Sequence, residues 1–489
     1  MRNFFAESAC LVAVSVLTAA AFAQAPANDK AVPASKVERK RKAPVSSDVL
    51  QVKLPKPVEF KLDNGLTVLV LEDHKLPLVT LRLTILGAGA LNDPPDMPGL
   101  ANMTAAILRE GTASRDSKQI AEESDRLGAS IFASSPFGSE TATISASGLS
   151  DNMPQWLALT ADILLHPSFP PSELAKLKQR EKVQLQQQRS SPNFLVNERF
   201  SRAVYGNHPA AITSPTVASI DAITLEALKN WHDNRYVPQN AILGVTGDIR
   251  PADLKQALQV LASWKASDFK TPADPATKPA AGKKIYLVDR PNSVQTSIYL
   301  GNIAVSRTDP DYLAMTVMDQ LVGGSAAARL FLDLREQKGY TYGAYSRLIA
   351  RKFAGPWYEF ANVRTEVTDG SMQGFLDEIQ RIRDEKVPES ELEETKRALV
   401  AHFALALENP NELLDFAITQ KIYGLPADYW DTYPAKISAI TAEQVQRVAR
   451  KYIDPENIQI VAVGDAAKIK PVLEKYGPVE LYDSQGNKL

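Results

Sequence analysis

Arg335 and Tyr342 stand seven residues apart in the run Arg329-Leu330-Phe331-Leu332-Asp333-Leu334-Arg335-Glu336-Gln337-Lys338-Gly339-Tyr340-Thr341-Tyr342-Gly343-Ala344-Tyr345-Ser346. A guanidinium can donate two hydrogen bonds to a peptide carbonyl, and a phenol hydroxyl can stabilise a developing oxyanion. On their own, the two residues are more simply a surface arginine beside a core tyrosine. The five histidines, His74, His166, His208, His232 and His402, include no pair at helical or hairpin spacing, and each reads as an ordinary structural residue. The single cysteine, Cys10, can form neither an internal disulfide nor a thiolate zinc cluster. Gly323-Gly324-Ser325 lacks the Gly-Lys-Ser/Thr ending of a phosphate-binding loop and reads as a turn before a helix over 326–336.

The elements that must carry these residues follow from periodicity and turn chemistry. Two short strands, 60–62 and 67–71, flank Asp63-Asn64-Gly65, where Asn-Gly signals a hairpin. Further strands fit 78–86, 141–146 and 241–245, and helices fit 100–108, 118–127, 153–164 and 172–188. The mixture is α+β. An internal repeat organises it: Ala222-Ile223-Thr224 through Pro238, Asn240 and Gly247-Asp248 recurs as Ala439-Ile440-Thr441 through Pro455, Asn457 and Gly464-Asp465, without a gap. Each copy reads as a helix (225–231, 442–449), a Pro/Asn turn, a strand, a Gly-Asp turn and another helix, so the chain is expected to hold two homologous halves. They occupy 56–270 and 284–480, joined by a Pro/Ala/Lys-rich linker at 271–283 and followed by a tail at 481–489.

Composition sets the class. With 489 residues, 44% of them hydrophobic, the chain can bury more than one core. A net charge of −2, from 55 basic and 57 acidic residues, excludes the electrostatic footprint of a general nucleic-acid binder and implies no strongly acidic substrate. Residues 1–23 read as a signal peptide, with Arg2, an apolar run from Ala9 to Phe22 and a small-x-small ending at Ala21-Phe22-Ala23, which places the mature protein in the periplasm or outside the cell. No later segment is long and apolar enough to cross a membrane as a helix. Residues 24–55, with the basic run 36–42, read as a flexible leader.

The Arg335/Tyr342 segment resembles the second-half motif of the pitrilysin/insulinase family of zinc peptidases, which includes the mitochondrial processing peptidase. The resemblance covers nearly all of 56–480, including Asn64-Gly65-Leu66-Thr67-Val68, the stretch from Gly99-Leu100 to Gly111-Thr112, Tyr205-Gly206-Asn207-His208-Pro209 and the repeat itself. It implies two α+β halves closing as a clam shell, and zinc held by H-x-x-E-H on a first-half helix plus a glutamate from a distant helix. The five motif positions fall on Asn102-Met103-Thr104-Ala105-Ala106, and the distant ligand falls near Gln184, with Glu181 one turn away. Asn102, Ala105 and Ala106 supply neither imidazole nor general base, so no metal or catalytic residue is expected in this chain.

Arg335 and Tyr342 match the family pair that contacts substrate across from the zinc. The resemblance also implies substrate added to an exposed strand edge, placed here at 81–90, where Gly87-Ala88-Gly89 would allow close approach or only shape a bulge. These readings together lead to a non-catalytic, substrate-binding subunit of an exported heteromeric zinc peptidase acting on peptides or unfolded polypeptides. The partner would be a family paralogue carrying H-x-x-E-H, holding the zinc. The alternative is a pseudo-peptidase that binds peptides or scaffolds the cell envelope with no catalytic partner.

Overall fold

The computed structural model describes residues 49–273 and 275–489. The expected signal peptide, the basic run and most of the leader lie outside the described residues. Two six-stranded sheets are built from β1 (Val58–Lys61), β2 (Thr67–Glu72), β3 (Leu78–Leu86), β4 (Ser130–Ser134), β5 (Thr141–Leu149) and β6 (Ala241–Gly247), and from β7 (Lys284–Asp289), β8 (Gln295–Ile303), β9 (Thr341–Leu348), β10 (Pro356–Arg364), β11 (Gln459–Gly464) and β12 (Val479–Tyr482). Their orders are β1-β2-β6-β3-β5-β4 and β12-β7-β11-β8-β10-β9. Ten of the twelve strands correspond between the sheets. The outer strand breaks the correspondence, because β1 runs antiparallel to β2 whereas β12 runs parallel to β7.

The longer helices are α1 (Leu100–Ile107), α2 (Ser117–Arg126), α3 (Met153–Leu165), α4 (Pro171–Gln188), α5 (Pro192–Tyr205), α6 (Leu225–Arg235), α7 (Tyr312–Val322), α8 (Thr368–Asp384), α9 (Glu389–Ala406), α10 (Pro410–Tyr423), α11 (Tyr429–Ser438) and α12 (Ala442–Tyr452). The sequence repeat lies at α6-β6 and α12-β11. Thr224 and Thr441 cap the two helices, their hydroxyls accepting from the N–H of Ala227 and Gln444. Each helix leads into a strand parallel to its half's first long strand (β6 to β2, β11 to β7) and antiparallel to the next (β3, β8).

One helix from each half crosses to the other. α5 lays Leu195, Val196, Phe200 and Val204 on the second sheet, against Val288, Ile303, Tyr358, Val461 and Val463. α10 lays Leu414, Ala417 and Ile418 on the first sheet, against Leu69, Leu71 and Ile242. The two helices share punctuation: Ser191-Pro192-Asn193 and Asn409-Pro410-Asn411 start them, and Tyr205-Gly206 and Tyr423-Gly424 end them. Proline at the first helical position costs no hydrogen bond, and the glycines take positive φ values of 57° and 61° that stop the helix. Gly244 on β6 is required by the same packing, since a Cβ there would come within 2.8 Å of Leu414 Cδ1 and Ile418 Cδ1.

Two expectations are corrected. The stretch 81–90 is not an exposed edge: β3 pairs with β6 on one side and β5 on the other, leaving no backbone donors or acceptors for an added strand. The open edge of the first sheet on that side is β4. The helix expected over 326–336 begins at Arg329 and turns π-helical over Leu332–Gln337.

The exchange predicts that Phe200→Ala and Leu414→Ala each cost about 2–5 kcal/mol, because each empties a buried site at the crossing. Urea unfolding should report the loss as a single shifted transition. Separate unfolding of one half at wild-type stability would contradict the reciprocal packing.

Candidate functional site

The first-half motif helix is present and well anchored. Gly99 precedes α1 at φ +100°, and the Asp93 carboxylate accepts from the N–H of Gly99 (2.7 Å) and Ala101 (2.9 Å), satisfying donors at the helix start. Burial pushes the Asp93 carboxyl up to about 7, against the opposing pull of those N–H donors and of Arg235. Met103 and Ala105 are buried, while Asn102 and Ala106, four apart, are half-buried on another face. The backbone therefore presents the positions that two imidazoles would need, and the side chains there are an amide and a methyl.

α4 packs on α1 and supplies the distant position. Its inward face is set by Leu174, Leu177 and Leu185, which are buried. Glu181, four residues after Leu177 and four before Leu185, lies on that face, and burial raises its carboxyl pKa against the pull of Arg180. Gln184 is exposed. Among the described residues, no three His, Cys, Asp or Glu side chains are grouped to hold a metal ion. Asn102, Ala106 and the single carboxylate of Glu181 do not fit zinc, which takes three or four N, S or carboxylate ligands.

The histidines are dispersed into structural roles. His74 is exposed and bridges Asp248 (2.6 Å) and Glu72 (3.3 Å); His208 contacts the Pro275 carbonyl at 2.9 Å; His232 contacts the Leu164 carbonyl at 2.8 Å. His166 and His402 are exposed. None joins α1.

Arg335 and Tyr342 are brought together by two local irregularities. The first is the π turn, closed by Lys338 N–H to Asp333 O and Tyr340 N–H to Leu334 O, with Leu334 fully buried. The second is a β-bulge. Ala361 faces Ala344 but Val363 faces Thr341, so Tyr342 and Gly343 together oppose Asn362. Thr341 Oγ1 stabilises it, accepting from Gly343 N–H at 3.1 Å and donating to Asn362 O at 2.6 Å. The Arg335 guanidinium lies 4.6 Å from the centre of the Phe331 ring and 5.0 Å from that of Tyr342. Tyr342 is 89% exposed on β9, the outermost strand of the second sheet, and Glu336 at 3.5 Å is the one carboxylate paired with Arg335 among the described residues.

Behind this pair lie several buried charged residues. Arg329 is nearly buried and donates through Nη1 to Glu378 on α8 (2.9 Å), and through Nε and Nη2 to Glu391 on α9 (2.6 and 2.8 Å). That fork fixes the start of the segment bearing Arg335. On β10, Glu359 is fully buried and neither carboxylate oxygen has a hydrogen-bond partner among the described residues. Burial, then the charges of Glu378 and Asp319, hold its pKa well above the usual range. Asp319 is pushed up to about 6 by burial, although it accepts from Ser346 Oγ (2.7 Å) and Trp357 Nε1 (3.0 Å).

Comparisons with known proteins now decide the family. The profile described as Insulinase (Peptidase family M16) matches residues 67–214, and the one described as Peptidase M16 inactive domain matches 222–399. The chain belongs to the insulinase (M16) family. It is a member without H-x-x-E-H anywhere in its sequence. The uncharacterized zinc protease YmxG of Bacillus subtilis is 22% identical over 396 residues, covering 80% of this chain and 94% of its own. An uncharacterized zinc protease of Rickettsia bellii is 26% identical over 352 residues, 71% of this chain and 83% of its own. Among solved structures, a peptidase M16 inactive domain from Pseudomonas fluorescens superposes with a TM-score of 0.77 at 27% identity, covering 84% of this chain and 98% of that one. A Helicobacter pylori protease gives 0.77 at 19% identity, covering 84% and 100%, and shares the fold.

Glu359 gives a signed prediction. Its folded pKa is raised, so its neutral form is favoured on folding; stability is full below the ordinary glutamate pKa and falls as pH rises toward the folded value. Urea midpoints at about pH 5 and about pH 8 should differ less for Glu359→Gln than for the wild type. An unchanged pH slope would show that Glu359 is ionised or solvated in the folded protein.

Proposed function

We propose that this M16 protein is the non-catalytic, substrate-binding subunit of an exported heteromeric zinc metallopeptidase that acts on peptides or unfolded polypeptides. The carrying observation is the contrast between the halves. α1 is held in place with its chemistry removed, while Arg335 and Tyr342 are presented side by side at an open sheet edge by a π turn and a bulge. Irregularities of this kind re-aim side chains and cost regular hydrogen bonding, so their coincidence at one pair favours a retained contact with substrate.

The division of labour follows from chemistry. Without a general base, roughly 10²- to 10⁴-fold of rate is missing before any metal contribution is counted. A family member carrying H-x-x-E-H would supply zinc and base. In this chain the Arg335 guanidinium donates to a peptide carbonyl, and the Tyr342 hydroxyl donates to the oxygen where negative charge develops. Export rests on the signal peptide read at residues 1–23.

Mixing the purified chain with an H-x-x-E-H paralogue encoded by the same organism should raise peptide hydrolysis well above that of the paralogue alone. Arg335→Ala and Tyr342→Phe should each reduce the gain by about 10- to 100-fold, with folding intact because both side chains are substantially exposed. A mixture no faster than the paralogue would remove the subunit reading and leave a peptide-binding or scaffold protein. A gain untouched by both substitutions would remove the mechanism.

A further inference from the structure

The second sheet carries a feature that the Arg335/Tyr342 pair does not use. On β10, Trp357 and Glu359 point into the helix-covered core, while Tyr358 and Phe360 point to the opposite face, the one α5 crosses. On β9, Tyr345 and Arg347 share that opposite face, since Ala344 and Ser346 are buried on the helix side. Three half-buried rings line up across the strands: Tyr345 to Phe360 at 5.8 Å, and Phe360 to Tyr299 on β8 at 5.5 Å. The line meets Phe200 of α5 at one end, 5.8 Å from Tyr299, and Phe331 beneath Arg335 at the other, 5.7 Å from Tyr345.

α5 covers only part of this strip, and its three rings stay partly exposed. Its charge is one-sided. Arg347 is exposed, lies 5.7 Å from the centre of the Phe360 ring, and forms no ion pair with a carboxylate among the described residues. Arg335, at the far end, has among the described residues one carboxylate partner, the exposed Glu336 at 3.5 Å. Two under-neutralised guanidiniums flanking a row of rings match a carboxylate adjacent to an aromatic ring. The chain's near-zero net charge does not conflict with this, because the positive potential is local to the strip.

We infer that the aromatic strip of Tyr299, Tyr345 and Phe360, with Arg347 and Arg335, selects an extended peptide segment in which an acidic side chain lies next to an aromatic one. This rests on the substrate-binding reading above and specifies its substrate class. The ring stacks along the strip while the carboxylate pairs with Arg347, which leads the backbone toward Arg335 and Tyr342.

The test is equilibrium binding to the full chain alone, by fluorescence anisotropy with short labelled peptides whose ends are blocked. One carries Asp beside Phe, a second replaces that Asp by Lys, and a third replaces the Phe by Ala. The Asp-Phe peptide should bind about tenfold tighter than either control. Arg347→Gln should erase most of the difference between Asp and Lys, and Tyr345→Leu most of the difference between Phe and Ala. Equal affinity for all three peptides, tighter binding of the Lys peptide, or preferences unmoved by the two substitutions would overturn the inference. Because no catalytic partner is present, that failure would leave the subunit reading standing. Conversely, a mixture without added hydrolysis would leave this binding preference intact.

Discussion

Each sheet has an apolar face that its own half does not cover, and the reciprocal crossing of α5 and α10 buries part of each against the other half. Phe200, Leu195 and Val204 on one helix and Leu414 and Ile418 on the other are buried in clusters shared with strands of the opposite half. Burial of that kind stabilises by roughly 1.5–3 kcal/mol for each large side chain, so neither half could spare its visitor. Ion pairs between the halves add alignment more than energy: Arg82 with Asp415, Lys352 with Glu140 at 3.2 Å, and Lys421 with Glu59 at 2.6 Å. The crossing fixes the first half, with its empty α1 positions, against the second half, with its intact pair.

Retaining the scaffold while emptying the site is physically consistent. α1 contributes Ala101, Met103 and Ile107 to the first core, and Asp93 satisfies its leading N–H groups, none of which depends on a metal. Loss of the two imidazoles and the base therefore leaves the packing unharmed. Arg335 and Tyr342 have the reverse character. Tyr342 is exposed and Arg335 half-buried, and neither belongs to the core, yet the backbone around them departs twice from regular geometry, and Arg329 between two glutamates holds the departure in place. Core packing does not require such an arrangement at a free sheet edge, which is why the proposed function rests on it.

The repeat was legible because its signals are local: a threonine that caps a helix and a Gly-Asp turn after a strand recur in both halves. The crossing helices carry an equally local signature, Pro-Asn at the start and Tyr-Gly at the end. The placement of 81–90 at an edge failed because a buried central strand and an apolar edge strand have similar composition, and pairing on both sides is a tertiary fact. The phase of α4 was hidden for a similar reason: Glu181 and Gln184 are one turn apart, and only the buried leucines decide which faces inward. Glu359, in the run Trp357-Tyr358-Glu359-Phe360, gave no sign that its face of the strand would be the covered one. A spacing of seven residues likewise did not establish that Arg335 and Tyr342 touch; the π turn and the bulge do that.

The assignment turns on whether this chain holds a catalytic metal of its own. The most direct measurement is zinc titration of the purified, metal-stripped chain, followed by calorimetry and by mass spectrometry of the intact protein. A chain whose motif positions are Asn102, Ala105 and Ala106 should take up no stoichiometric zinc, while a complex with an H-x-x-E-H partner should hold one ion per partner subunit. One tightly bound zinc per isolated chain would contradict the account, since it would require a ligand set that α1 and α4 do not provide.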